Sequence, residues 1–433
     1  MAELSGFPYG EVKFDKTGRL HDRDEVLALI DLVETQQTTD LVAISHGWNN
    51  DIAEARALYE TFFAQMREVL NAGSAGGLPG RRLAVMGIFW PSKKFADAEL
   101  IPGGAASLGG ITDAVLMAQL EELRGAFDAD DADQRLQRAM ELVTDLEDRR
   151  TARDEFGALL TGLLGTPAAL DDEIRAEIPE AFFALSGSEL IDRLSAPGLL
   201  EPPPTDDRDG GAAGLGDFFG GIKAGARRLA NLVTFWQMKK RAGIVGAGGV
   251  FEVLNQLRAR FPTLKLHLVG HSFGGRVVTA AARGPDGQPG IKIESMTLLQ
   301  AAFSHNGFAE DFDVDRDGYF RRVVIEQAVT GPILITHTAN DKAVGLAYPL
   351  AVRISQDDAA GLGDKNDRFG GIGRNGAQHT PEAQDGLLLR AGEQYAFRAG
   401  SIFNLQADAH IRDHSDVANA ATAHAVVSAM AMT

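Results

Sequence analysis

The six residues Gly270-His271-Ser272-Phe273-Gly274-Gly275 constrain this chain more than any others. They follow Leu264-Lys265-Leu266-His267-Leu268-Val269, whose alternation predicts a short strand, and precede Arg276 to Ala282, whose Val and Ala content predicts a helix. A strand that becomes a helix over so few residues leaves the central residue no relaxed conformation. Gly270 and Gly274 carry no Cβ, so neighbouring backbone can close in around Ser272. The strain leaves the Ser272 hydroxyl exposed at the end of the sheet. The new helix then directs its free N–H groups at negative charge forming there. In this strand–turn–helix setting, G-x-S-x-G predicts a reactive serine. The plainer alternative is a glycine-rich turn with an ordinary capping serine.

A serine hydroxyl is a poor nucleophile at neutral pH until a base takes its proton, and a third group must orient that base. With this elbow the chain order is Ser, acid, His. Gly331 to Thr338 predicts a strand, and Asp341 lies at its carboxyl end in Ala339-Asn340-Asp341-Lys342-Ala343-Val344. Asp311, Asp313, Asp315 and Asp317 follow an earlier strand and would serve only in a variant arrangement. Ser401 to Leu405 predicts the last strand, and two histidines follow it. His414, in Asp413-His414-Ser415-Asp416-Val417 just before an Ala-rich helix, is the expected base. His410 is its competitor, and either reads otherwise as a surface-loop residue.

The groups that would stabilise an oxyanion lie upstream. Thr39-Asp40-Leu41-Val42-Ala43-Ile44-Ser45 has the continuous apolar run of a strand buried on both faces, and it ends in His46-Gly47-Trp48-Asn49-Asn50. The backbone N–H of Trp48, with that of Phe273, is the expected donor pair. Gly47 permits the turn, and Gly47 and His271 are expected beside the substrate. His46 is expected to prop the loop rather than transfer protons. The Trp48 ring fits a pocket wall or the core equally well.

With HGW at 46–48, GHSFGG at 270–275, ND at 340–341 and DHSDV at 413–417, the chain resembles the α/β-hydrolase superfamily on its lipase and esterase side. It also resembles uncharacterised bacterial members with a strand ending in Phe89-Trp90-Pro91-Ser92. The likeness covers residues 1–92 and about 231–433. It implies an α/β fold with a mostly parallel central sheet flanked by helices, a serine nucleophile and an acyl-enzyme mechanism. No cofactor or metal is expected. The expected substrate is a small-molecule or lipid ester. An amide or peptide hydrolase on the same fold, and a non-catalytic binding protein with a hydrolase fold, are the alternatives.

A net charge of −18 argues against nucleic acid and anionic membrane surfaces as partners. The absence of cysteine excludes disulfides, thiolate metal sites and a cysteine nucleophile. Residues 1–8 show neither a basic n-region nor an apolar h-region, and no uncharged apolar run is long enough to span a bilayer. A cytoplasmic protein without stable membrane insertion is therefore expected; the sequence does not set its oligomeric state.

The chain of 433 residues exceeds what one simple domain needs. Residues 1–92 and 241–433 are expected to form the core, and 93–240 a helical cap or lid inserted into it. In the core, 8–15, 40–45 and 82–90 predict strands, and 52–70 a helix. Residues 22–35 predict a helix with Val26, Leu27, Ile30 and Val33 on one face. In the insertion, 111–127, 133–164 and 176–194 predict helices, 200–207 an extended linker, and 218–260 the helical return to the core. Phe218, Phe219, Ile222, Ala226, Leu229, Leu232, Val233 and Trp236 form an apolar stripe, read as packing rather than a lipid-facing lid. Asp313 to Gly318 mimics the start of a calcium loop, but position 12 is Val324 instead of Glu, so it reads as an acidic turn. Residues 357–379 predict a long loop that includes Asp364, Asp367 and His379 in no metal-site spacing.

Overall fold

The computed structural model describes residues 2–73, 78–92, 111–195, 221–313, 316–341, 354 and 370–433. Its chain divides into two compact units, one of residues 1–92, 239–348 and 363–433, the other of residues 93–238 and 349–362.

The first unit is an α/β fold on a nine-stranded sheet. The strands are β1 (Glu3–Leu4), β2 (Phe7–Lys13), β3 (Asp40–Ser45), β4 (Leu83–Phe89), β5 (Lys265–His271), β6 (Ser295–Leu299), β7 (Ile333–His337), β8 (Ala383–Leu387) and β9 (Ile402–Gln406). Their order is β1-β2-β4-β3-β5-β6-β7-β9-β8, and every pairing is parallel except β1 with β2. Every residue of β3 is buried, as a parallel strand covered on both faces requires. Val42, Ile44, Val85, Phe89 and Val269 share a core with helices Ile52–Ala72 and Ala420–Ala431. Alternate residues point to the other face, where helix Phe273–Arg283 packs on β3 and β5. Asp51 and Glu54 form a capping box at the start of Ile52–Ala72, and Gly73 ends it in a left-handed conformation (φ 64°).

Several boundaries differ from the sequence reading. The first strand is two, joined at a tight turn through Ser5 and Gly6. Helix Arg23–Thr35 buries Val26, Leu29, Leu32 and Val33, whereas Leu27 is 61% exposed. The expected stripe was rotated because Leu27 is one apolar residue too many for a single face. The exposed edge strand β8 was not anticipated, since Ala383-Gln384-Asp385-Gly386-Leu387 has no apolar alternation.

The described part of the second unit is helical. The expected helix over 133–164 is two, Ala132–Leu142 and Arg150–Thr161, with short 3-10 turns. That over 176–194 lies in Asp172–Glu177, Glu180–Ala184 and Gly187–Leu194. Pro179 starts the second of these, and Ser186 caps the third through a capping box with Glu189. Leu229, Leu232, Val233 and Trp236 on helix Ile222–Val245 are buried, and the Trp236 ring meets Phe182 edge-on at 4.8 Å. The stripe is therefore packed. Phe218, Phe219 and the 200–207 linker lie outside the described residues, as do Asp315, Asp364 and Asp367. His379 is exposed, its Nδ1 2.9 Å from Asn306 Oδ1.

At the amino-terminal ends of the strands, register brings Asp40 (β3), His267 (β5) and Ser295 (β6) into one buried chain. His267 Nε2 donates to Asp40 Oδ1 at 3.0 Å, and the Ser295 hydroxyl donates to Nδ1 at 2.7 Å. Arg81 pairs with the same carboxylate. Burial alone would raise the Asp40 pKa, but the His267 and Arg81 hydrogen bonds hold it well below the usual carboxylate range. Burial pushes His267 down, and it pushes His46 to about 4 and His271 to about 3; His337 is lowered for the same reason.

These shifts have a sign. Below about pH 6.5 the unfolded chain takes up protons on these histidines before the folded chain does, so folding weakens as pH falls. Asp40 adds a loss at still lower pH. Each net proton contributes a limiting slope of about 1.4 kcal/mol per pH unit. His414 is shifted the other way, upward, and offsets part of this loss. The urea midpoint should therefore fall between pH 7 and pH 5. A flat profile over that interval would contradict the neutral state of these buried rings.

Candidate active site

The site is assembled at the carboxyl ends of β3, β5, β7 and β9, where open parallel sheets expose their loops. Ser272 follows β5 directly and precedes helix Phe273–Arg283. Its backbone sits at φ 56°, ψ −125°, a region that costs a non-glycine residue about 1–3 kcal/mol. The surroundings impose it. Ser272 N–H donates to Leu299 O, and Ser272 O accepts from the N–H groups of Gly275 and Ala302. A Cβ at Gly274 would collide with the Ser45 carbonyl, and one at Gly270 with the Gly274 carbonyl. The two glycines are thus required by close approach, as their spacing indicates.

Ser272 Oγ lies 2.9 Å from His414 Nε2, and His414 Nδ1 lies 2.8 Å from Asp341 Oδ2. Nδ1–H donates to the carboxylate, which leaves Nε2 free of its proton and able to accept the serine's. Asp341 is fully buried at the end of β7. Burial opposes protonation of His414, yet the Asp341 charge and hydrogen bond outweigh it, so the ring's pKa lies above the ordinary histidine value. The structure brings Ser272, Asp341 and His414 together. It does not bring His410 to them: its N–H bonds to Ala407 O, and its carbonyl accepts from Asn419 Nδ2.

His271, expected beside the substrate, is buried next to Ser272. Its Nε2 donates to the His414 carbonyl at 2.8 Å, and the two rings lie 5.0 Å apart. The residue before the nucleophile therefore braces the loop that carries the base. Gly47, from the loop after β3, stands against Ser272: a Cβ there would lie 2.6 Å from Ser272 Cβ. Trp48 is half-buried, with its ring 6.0 Å from that of Phe273. The 47–48 loop and the start of helix Phe273–Arg283 thus flank the serine.

His46 is buried, and its ring stacks on Trp90 at 5.6 Å and 10°. Its Nδ1 donates to Gly47 O at 2.9 Å, and its Nε2 accepts Trp90 N–H at 3.3 Å. Held neutral, with both nitrogens engaged, it props the loop. Trp90 Nε1 donates to His46 O, Ser92 O accepts from Asn49 N–H, and the Ser92 hydroxyl accepts from Asn50 N–H and donates to Asn50 O. The role of the Phe89–Ser92 segment as a brace was not visible in the sequence. Neither was Gln300, whose amide reaches Asp341 Oδ2 at 3.1 Å.

Among the described residues no group of three or more His, Cys, Asp or Glu could hold a metal ion, and no helix is long and apolar enough to cross a membrane.

No protein-family model matches the chain, and no curated protein matches it. Among solved structures, it is similar to the crystal structure of an uncharacterized protein from Pseudomonas aeruginosa, with 10% identity and a TM-score of 0.20. The match covers 98% of this chain but only 51% of that one, so the chain spans about half the length of that protein. A likeness this low says nothing about fold or chemistry.

Proposed function

We propose that the protein is a serine hydrolase of the α/β-hydrolase type that cleaves a carboxylic ester through an acyl-enzyme on Ser272. One observation carries the reading: a strained serine 2.9 Å from an imidazole whose other nitrogen is 2.8 Å from a buried carboxylate. Ser272 Oγ attacks the ester carbonyl carbon as His414 Nε2 takes its proton. Asp341 stabilises the resulting imidazolium and fixes its tautomer. The backbone N–H groups of Trp48 and Phe273 bind the oxyanion, each worth about 3 kcal/mol in the transition state. His414 then returns the proton to the departing alkoxide, and the acyl group stays on Oγ. Water, deprotonated by His414, attacks the acyl carbon, and Oγ leaves with the proton. No cofactor enters these steps. The absence of a membrane-crossing helix among the described residues fits a cytoplasmic location.

The test is covalent labelling by a fluorophosphonate together with a chain-length series of nitrophenyl esters and a panel of peptides. Labelling at Ser272 with ester turnover is the expected result. Peptide cleavage without ester turnover would move the reading to an amidase, and no labelling at all would leave a binding protein.

A further inference from the structure

We infer that Gln300 is a positioning residue that holds the Asp341 carboxylate where the His414 Nδ1–H can reach it. The inference rests on the Ser272–His414–Asp341 reading and concerns a residue outside those three.

Gln300 follows β6 directly and is fully buried. Its amide makes three side-chain bonds. Nε2 donates to Asp341 Oδ2 at 3.1 Å and to Gly373 O at 2.9 Å, and Oε1 accepts from Thr336 Oγ1 at 3.0 Å. The orientation of the amide is forced. The Thr336 hydroxyl accepts Gln300 N–H at 3.0 Å, so its own hydrogen is directed to Oε1. A flipped amide would set its oxygen against a carboxylate and a carbonyl, two acceptors with no proton between them. Only the observed orientation satisfies all four groups, and it points N–H at Asp341.

The oxygen that Gln300 contacts is the one that accepts from His414 Nδ1. Two donors thus converge on one carboxylate oxygen. The Gln300 donor opposes rotation of the carboxylate about its χ2, which is a soft torsion. The Gln300 backbone is itself left-handed (φ 44°), a conformation that a glutamine keeps only when its surroundings over-determine it. Thr336 lies on β7 and Gly373 on helix Ile372–Asn375, so the amide ties three elements to the carboxylate. Among the described residues, Arg374 donates to the Ala339 and Asp341 carbonyls, His271 donates to the His414 carbonyl, and the Asp413 charge acts on the His414 ring. Neither of these bonds reaches the Asp341 carboxylate.

The experiment compares wild type with Gln300→Leu and Gln300→Glu by ester kinetics across pH and by the downfield proton resonance of His414 Nδ1–H. Gln300→Leu removes the donor and should lower kcat roughly 10- to 100-fold with KM unchanged, because the residue is buried and positions the base, not the ester. The resonance should move or broaden. Gln300→Glu keeps the shape but donates to Asp341 only while its carboxyl holds a proton. Its activity relative to wild type should fall as pH rises and that proton leaves. A residue that merely fills space would give no such pH term. Wild-type kcat with an unmoved resonance in Gln300→Leu would overturn the inference. So would a loss in Gln300→Glu that is the same at every pH. If wild type hydrolyses nothing yet its resonance is present and shifts in both variants, the hydrolase reading fails and the positioning role stands.

Discussion

Replacing Ser272 by Ala should abolish ester hydrolysis, with kcat falling on the order of 10⁴- to 10⁶-fold, while the folded protein keeps its stability. The nucleophile and its proton leave together, so nothing remains for His414 to activate. The fold has little stake in the hydroxyl, whose hydrogen bond is to the half-buried His414 ring. The backbone offers a second test of the same residue. Ala keeps a Cβ at φ 56° and so keeps the strain, whereas Gly does not. Ser272→Gly should be equally inactive but more stable than Ser272→Ala, by about 1 kcal/mol. A thermal melt of the two variants beside wild type checks this. Retention of more than a few per cent of turnover by either variant would remove Ser272 from the mechanism.

The strand, elbow and helix around Ser272 are legible in the sequence because their causes are local. Apolar alternation marks β5, and Gly270 and Gly274 sit where backbone must pass close. Asp341 and His414 are legible for a different reason: the chain order of a parallel sheet puts each of them just past a strand end. What the sequence hides is set by register between distant segments. Gln300 ends an apolar strand and looks like any polar residue there. Only the neighbouring β7 and the 370–376 turn give it a function. The Asp40–His267–Ser295 chain makes the complementary point. It holds the same three residue types, but its ring is reversed, with Nε2 toward the carboxylate and Nδ1 toward the serine. Ser295 is buried at the amino-terminal end of β6 and lacks any strained turn to present it. Residue types alone would not separate these two constellations; the positive φ at Ser272 and its place at the carboxyl end do. The bond from His271 Nε2 to the His414 carbonyl is likewise invisible in the sequence, because it joins residues far apart in the chain.

Replacing His414 by Ala should cost as much as losing Ser272, whereas replacing His410 by Ala should leave turnover near wild type. The two lie in one loop, four residues apart, and either would be acceptable by sequence position. Geometry separates them: one ring bridges Ser272 and Asp341, while the bonds of His410 to Ala407 and Asn419 run through its backbone. The acid is distinguished by a pH profile. Activity requires neutral His414, and the Asp341 charge raises its pKa, so wild-type kcat/KM should climb only as pH rises through a value above the ordinary histidine range. Asp341→Asn removes that charge. The ascending limb should then move to lower pH, because the imidazole loses the charge that holds its proton. The plateau should fall by about 10⁴-fold, because an amide in place of the carboxylate favours the wrong imidazole tautomer. Measuring kcat/KM from pH 5 to pH 9 for both enzymes resolves the two effects. A limb that stays in place in Asp341→Asn would mean that another group sets the protonation of His414, and a His410→Ala enzyme as inactive as His414→Ala would return the base to open question.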